Sequence, residues 1–161
     1  MPYEILSGNK KSGVTIHKIT SGFDEGDILL QKEFLLSENE NHDTFMQKVY
    51  DVLVNMLDFL ISDFNSLYLN AIPQEGNATY LPVPDKLMST VDVQTDMKTA
   101  DKVFRAFYGY ECYYSTGKTS YILIKPFVLE NINHLNDNIY AFFPLKNGYA
   151  VCLKENIYKC D

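Results

Sequence analysis

The sequence predicts an α/β fold in two parts, and three features carry that expectation. Two short β-like runs, Val14 to Ile19 and Asp27 to Phe34, flank a glycine-bracketed loop. A helical stripe follows, with Phe45, Val49, Val52, Met56, Phe59 and Leu60 recurring at three- and four-residue steps, the spacing that lines one helix face with apolar side chains. After a break at Pro82 and Pro84 the chain turns to one short helix and several strand-like runs. These features place a first domain at 1–84, a linker at 85–94 and a second domain at 95–161.

The opening string, Pro2 to Lys10, mixes Tyr3, Ile5 and Leu6 with the turn-rich Ser-Gly-Asn-Lys. As a free terminus it is expected to be poorly anchored. In the first strand Val14, Ile16 and Ile19 suit a half-buried surface, while Gly22 and Gly26 permit turns that other residues resist. The loop between the strands holds Asp24, and His17 stands on the strand before it. Such a loop can aim one carboxylate and bare backbone groups at a ligand.

Ser37 to Asp43 is a polar interval rich in helix-starting residues, with Asp43 as the expected N-cap of a helix reaching about Ile61 and His42 a solvated loop residue. The helix should pack on the sheet containing Val14 and Ile28. Ile72 to Pro84 reads as a Gly76-Asn77 turn and a short extended run, and Asp85 to Gln94 as a linker of little periodicity.

In the second part, Thr95-Asp96 begins a capped helix with Ala100, Val103, Phe104 and Phe107 as its apolar stripe, ending near Tyr108-Gly109. Strands are expected over Ser120 to Val128, Ile139 to Pro144 and Tyr149 to Lys154, with Lys146-Asn147-Gly148 as a hairpin turn. A helix feeding several strands is compatible with a small barrel or a curled sheet. The aromatic group Phe107, Tyr108, Tyr110, Tyr113 and Tyr114 reads as core with hydroxyls at the rim, or as a stacking platform for bases. His134 reads as a surface loop residue.

Of the 161 residues 46% are apolar and 14% aromatic, which excludes a disordered chain. There is no apolar run of bilayer length and no signal-peptide pattern, so a cytoplasmic protein without a membrane partner is expected. With 14 basic and 21 acidic residues the formal charge is −7, which disfavours a phosphate backbone as partner unless the basic residues cluster. Lys10-Lys11 is the only adjacent basic pair. Cys112, Cys152 and Cys160 are odd in number and widely spaced, which argues for reduced thiols and no metal site.

Ser12-Gly13-Val14-Thr15-Ile16-His17 and Phe23-Asp24-Glu25-Gly26-Asp27-Ile28-Leu29 resemble the second half of the catalytic domain of folate-dependent formyltransferases. That family includes the methionyl-tRNA, glycinamide ribonucleotide and sugar N-formyltransferases. The resemblance implies the C-terminal part of a formyltransferase-like, Rossmann-like domain, followed by a small OB-like β-barrel domain. It gives Asp24 the role of moving the amine's proton, with His17 in support. It gives Thr20, Ser21, Gly22 and Phe23 the contacts to 10-formyltetrahydrofolate as cosubstrate.

Gln74 with Ala78-Thr79-Tyr80 resembles the segment that closes the family's catalytic domain. By that match Gln74, Thr79 and Tyr80 contact the substrate, or else form a strand that pins the helix. More weakly, Arg105-Ala106-Phe107 and Leu145 to Val151 resemble parts of the OB-like domain of the larger members.

Formyl transfer needs a neutral amine, a group to take its proton and donors for the tetrahedral oxyanion. In the family those donors come from a catalytic asparagine and histidine, an upstream Asn-x-His pair followed by a His-Pro-Ser loop, and neither motif occurs in this sequence. The expectation is therefore either a fragment of a formyltransferase or a reduced relative that serves as a non-catalytic binding or assembly protein. Among acceptors, a small amine such as a nucleotide-linked amino sugar fits the acidic charge better than methionyl-tRNA, which the resemblance also admits. A half-sheet cut from its neighbours leaves an unpaired edge, so self-association or a complementary N-terminal half is expected as partner.

Overall fold

Antiparallel pairing of β1 (Lys11–His17) with β2 (Ile28–Leu35) builds the hairpin that carries the loop. The computed structural model describes residues 2–133, 135 and 140–160, which fall into two compact units. The hairpin unit comprises Asn9–Glu38 and Thr44–Pro82; the other comprises Met1–Gly8, Asn39–Asp43 and Val83–Asp161. His134 and Ile139, an expected surface residue and an expected strand start, lie outside the described residues.

In β1 the half-buried Ser12, Val14 and Ile16 alternate with exposed Lys11, Gly13 and Thr15, the period of a strand with one packed face. The strand stops short of the expected Ile19, which is exposed. The register shifts between Ile16 and His17, and the hairpin closes through Lys18 N–H donating to Asp27 O at 2.9 Å. The segment 19–26 therefore stands out as a loop.

A long helix, α2 (His42–Ser62), follows. Phe45 and Met56 are its buried side chains, and the Phe45 ring meets Phe34 of β2 edge-on at 5.6 Å. The Lys48 ammonium donates to Leu35 O at 3.0 Å, tying the helix to the end of the hairpin. The helix starts two residues earlier than predicted, so His42, expected as a solvated loop residue, opens it half-buried and Asp43 sits in its first turn, where a negative charge still favours the N-terminal end. A short α3 (Phe64–Leu69), not predicted by periodicity, comes next. Ile72 then pairs with Ile28 through two backbone hydrogen bonds of 2.7 and 2.9 Å. Beyond that bridge the expected extended run forms no strand and stays exposed.

The second unit holds nearly all the buried apolar side chains. Its α1 (Pro2–Ser7) corrects the expectation of a loose terminus, because Ile5 is buried in the core with Ala100, Val103 and Phe104. The segment expected as a linker is also structured. Asp85 caps a turn of 3-10 helix at Lys86–Ser89, accepting from Met88 N–H at 3.0 Å, and β3 (Thr90–Asp92) follows with Val91 only 1% exposed. In α4 (Met97–Ala106) the expected stripe is buried, and Asp96 is the N-cap.

After α4 come β4 (Glu111–Ser115), β5 (Ser120–Ile124), β6 (Phe127–Leu129), β7 (Tyr140–Leu145), β8 (Gly148–Leu153) and β9 (Ile157–Cys160). They form one sheet in the order β3-β4-β5-β9, with β3 parallel to β4, and another in the order β6-β8-β7. The pairing of the described residues thus gives two sheets and no closed barrel. The expected single strand from Ser120 to Val128 breaks between β5 and β6, where Lys125 takes φ 51° ahead of Pro126. Of the aromatic group, Phe107 and Tyr114 are buried while Tyr110 is exposed. No helix among the described residues is long and apolar enough to cross a membrane.

Candidate active site

Two glycines and a strand end set the shape of the 19–26 loop. Gly26 is buried, and a Cβ placed on it would lie 1.8 Å from Lys18 O and 3.3 Å from His17 Nδ1. Only a glycine lets the returning chain pass that close to the strand it left. Asp24 sits two residues earlier in the left-handed region, φ 54°, a conformation that asparagine and aspartate tolerate better than most residues.

That backbone turn brings Asp24 Oδ1 to 3.5 Å from His17 Nε2. The other ring nitrogen, Nδ1, lies 2.8 Å from Lys18 O, a contact in which Nδ1–H donates; the Asp24 carboxylate only accepts, so its contact with the ring draws on a hydrogen at Nε2 as well. The imidazole is 25% exposed and the carboxylate 95%, so a histidine fixed in the wall holds an acid that faces solvent.

Two further residues brace the loop. The Lys18 ammonium lies 3.0 Å from Asp27 Oδ2 and 4.6 Å from the centre of the Tyr68 ring on α3, anchoring the base of the loop by charge and by a cation–π contact. Gln74 Nε2 donates to Asp24 O at 2.9 Å and to Gly26 O at 2.7 Å. The sequence carried a signal for the first of these, since opposite charges stand on the two sides of the loop at 18 and 27. It carried none for the second, which joins residues 48 and 50 positions apart.

At the loop tip, Ser21, Gly22 and Phe23 make no hydrogen bond among the described residues, and Phe23 is 93% exposed. Free backbone donors beside an exposed ring can receive a planar, hydrogen-bonding ligand. The Glu25 carboxylate folds back over this backbone, 3.5 Å from Thr20 Oγ1 and at the place a Gly22 Cβ would take. It must swing aside for a ligand to reach Gly22. The structure therefore brings His17, Asp24 and Gln74 together, with Thr20 to Phe23 alongside. It does not bring Thr79 or Tyr80 to them: both are exposed and make no hydrogen bond among the described residues.

A protein-family model described as formyl transferase matches residues 3–58, a span that includes β1, the loop, β2 and most of α2. The methionyl-tRNA formyltransferase of Ehrlichia ruminantium (strain Welgevonden) is 30% identical over 157 residues, covering 96% of this chain and 49% of that protein. Among solved structures, HypX from Aquifex aeolicus in complex with tetrahydrofolic acid superposes with a TM-score of 0.75 at 15% identity, covering 99% of this chain and 30% of that one. Methionyl-tRNA formyltransferase from Clostridium thermocellum gives a TM-score of 0.63 at 17% identity, covering 99% of this chain and 61% of that one. At those identities the two superpositions speak for the fold. The chain spans about half the length, or less, of the curated relatives it matches.

Proposed function

This chain belongs to the formyl transferase family, and we propose from that premise that it carries the acid-bearing portion of a site for transfer of a formyl group to an amine. The observation that carries the reading is the 3.5 Å approach of Asp24 Oδ1 to His17 Nε2 inside the matched span. Asp24 takes the proton that the attacking amine releases, and His17 holds the carboxylate in place. Thr20, Ser21, Gly22 and Phe23 hold 10-formyltetrahydrofolate, whose chemistry is to supply the formyl group. The exposed Thr79 and Tyr80 are the proposed contacts to the acceptor.

Donors for the oxyanion have to come from a complementary portion of protein, consistent with relatives about twice this length. Removal of one such donor costs on the order of 100- to 1000-fold in rate, so the chain by itself is expected to bind and not to turn over. The working enzyme in this reading is cytoplasmic, with residues 83–161, which fall in one unit, as an OB-like accessory portion.

The curated relatives favour methionyl-tRNA as the acceptor, whereas overall charge favours a smaller amine. The charge is unevenly spread: residues 1–82 carry 5 basic and 12 acidic side chains, and residues 83–161 carry 9 of each. A tRNA would therefore be met by the C-terminal portion, since the acidic first portion repels phosphate. Isothermal titration of the chain with a stable folate analogue tests the folate contact. Binding heat that falls in Phe23→Ala is the expected result; no heat at high ligand concentration counts against a folate pocket here.

A second reading, a non-catalytic assembly protein, draws on one observation. Tyr50, Val54, Leu57 and Ile61 form an exposed apolar row on α2, a surface suited to another protein.

A further inference from the structure

We infer that Gln74 is a positioning residue that sets the direction of the Asp24 carboxylate without touching the acceptor, an inference that rests on the reading of Asp24 as the proton acceptor. One side-chain nitrogen donates to Asp24 O at 2.9 Å and to Gly26 O at 2.7 Å. A carboxamide nitrogen has two hydrogens, so this clasp commits both of them and leaves none for a substrate. The two carbonyls bracket Glu25, and the first belongs to the residue held at φ 54°. The clasp thus closes across the turn that points Asp24 at His17.

Gln74 is itself fixed from outside the loop. Ile72, two residues before it, is paired with Ile28 in both directions at 2.7 and 2.9 Å, so the side chain reaches the loop from the edge of β2. At the other end of the loop the Lys18 ammonium is held by Asp27 and the Tyr68 ring. The short loop is gripped at its base by Lys18 and across its turn by Gln74. Only the second grip bears on the backbone of Asp24.

The test reads the His17–Asp24 contact directly. In the 15N-labelled chain, the His17 Nε2 resonance is assigned with His17→Asn, and its displacement by Asp24→Asn is measured in three backgrounds: the parent, Gln74→Met and Gln74→Lys. Methionine keeps the length of the side chain and removes the donors; lysine keeps a donor. Asp24→Asn is expected to move the His17 signal in the parent, to lose most of that effect in Gln74→Met, and to regain it in Gln74→Lys. A role limited to loop stability would instead show as equal melting losses in Gln74→Met and Gln74→Lys with the coupling intact in both, and that result overturns the inference.

Equal loss of the coupling in both variants also overturns it, because donation would not be the cause. If Asp24→Asn leaves the parent's His17 signal unmoved, there is no contact to position and the inference falls. Failure of the folate titration with the coupling pattern intact would count against the folate pocket alone.

Discussion

Gly26 passes Lys18 so closely that a single added carbon would sit 1.8 Å from the Lys18 carbonyl oxygen. The obstructing atom is backbone at the mouth of a hairpin, so it cannot rotate away. Gly26→Ala is expected to force the two loop stems apart, at a cost of about 1–3 kcal/mol typical of overpacking, and to abolish the His17–Asp24 contact. Gly22→Ala is the matched control, because the atoms its Cβ would meet belong to the flexible Glu25 carboxylate. Melting temperature and the His17 signal should both move in the first variant and hardly at all in the second.

The hairpin was legible because its pattern is local. Val14 and Ile16 alternate with polar neighbours, and Gly22 and Gly26 mark the turn, so the proximity of His17 and Asp24 follows from a few adjacent residues. The Gln74 clasp was not legible in that way, since it depends on the Ile28–Ile72 bridge bringing distant segments together. Val91 was missed for a related reason. A three-residue strand is too short to show a period, and its burial comes from parallel pairing with β4. Lys125-Pro126 shows the converse: the proline was visible, but the apolar residues on either side still suggested one strand through it.

Alkaline pH should weaken the second unit. Burial pushes the Cys112 thiol from 9.0 up to about 12 and the Cys152 thiol from 9.0 up to about 11. Burial, and then the charge of Asp92, also raises the Tyr114 phenol. Each folded-state value lies above the unfolded one, so the stabilisation is whole below the unfolded value and is lost as pH rises through the folded one. For each thiol the loss approaches about 1.4 kcal/mol per pH unit within that window. Urea unfolding at neutral pH and at pH about 10 should show the drop, and Cys112→Ala with Cys152→Ala should flatten it from a lower starting stability.

The cap of α4 gives the opposite dependence. The Thr99 hydroxyl donates to Asp96 Oδ2 at 2.8 Å and the Thr99 N–H donates to Oδ1 at 3.0 Å. These bonds, the hydroxyl's first, hold the Asp96 carboxyl below 3.8. The contribution is present above that value and fades as pH falls through the lower folded-state value. Asp96→Ala is expected to lower the melting temperature at neutral pH, and Asp96→Asn to retain most of the cap because its amide oxygen still accepts. Equal melting of parent and Asp96→Ala at neutral pH would count against the cap.

The apolar row Tyr50, Val54, Leu57 and Ile61 recurs at four-, three- and four-residue steps on α2, and all four side chains are exposed. On the same helix Phe45 and Met56 are buried, so the helix carries apolar character on more than one face. A helix of that kind is ordinarily covered on both. Burying a valine, leucine or isoleucine gains about 1.5–3 kcal/mol each, against roughly 4–15 kcal/mol for the lost freedom of two bodies. The balance supports weak association by this row alone and tighter association with a surface that also covers the exposed Phe23 and Ile19. The chain is therefore expected to self-associate in light scattering as its concentration rises. Val54→Lys with Ile61→Lys should return it to a monomer while the His17–Asp24 contact is kept, and a parent chain that stays monomeric at high concentration would remove the basis for a covered face.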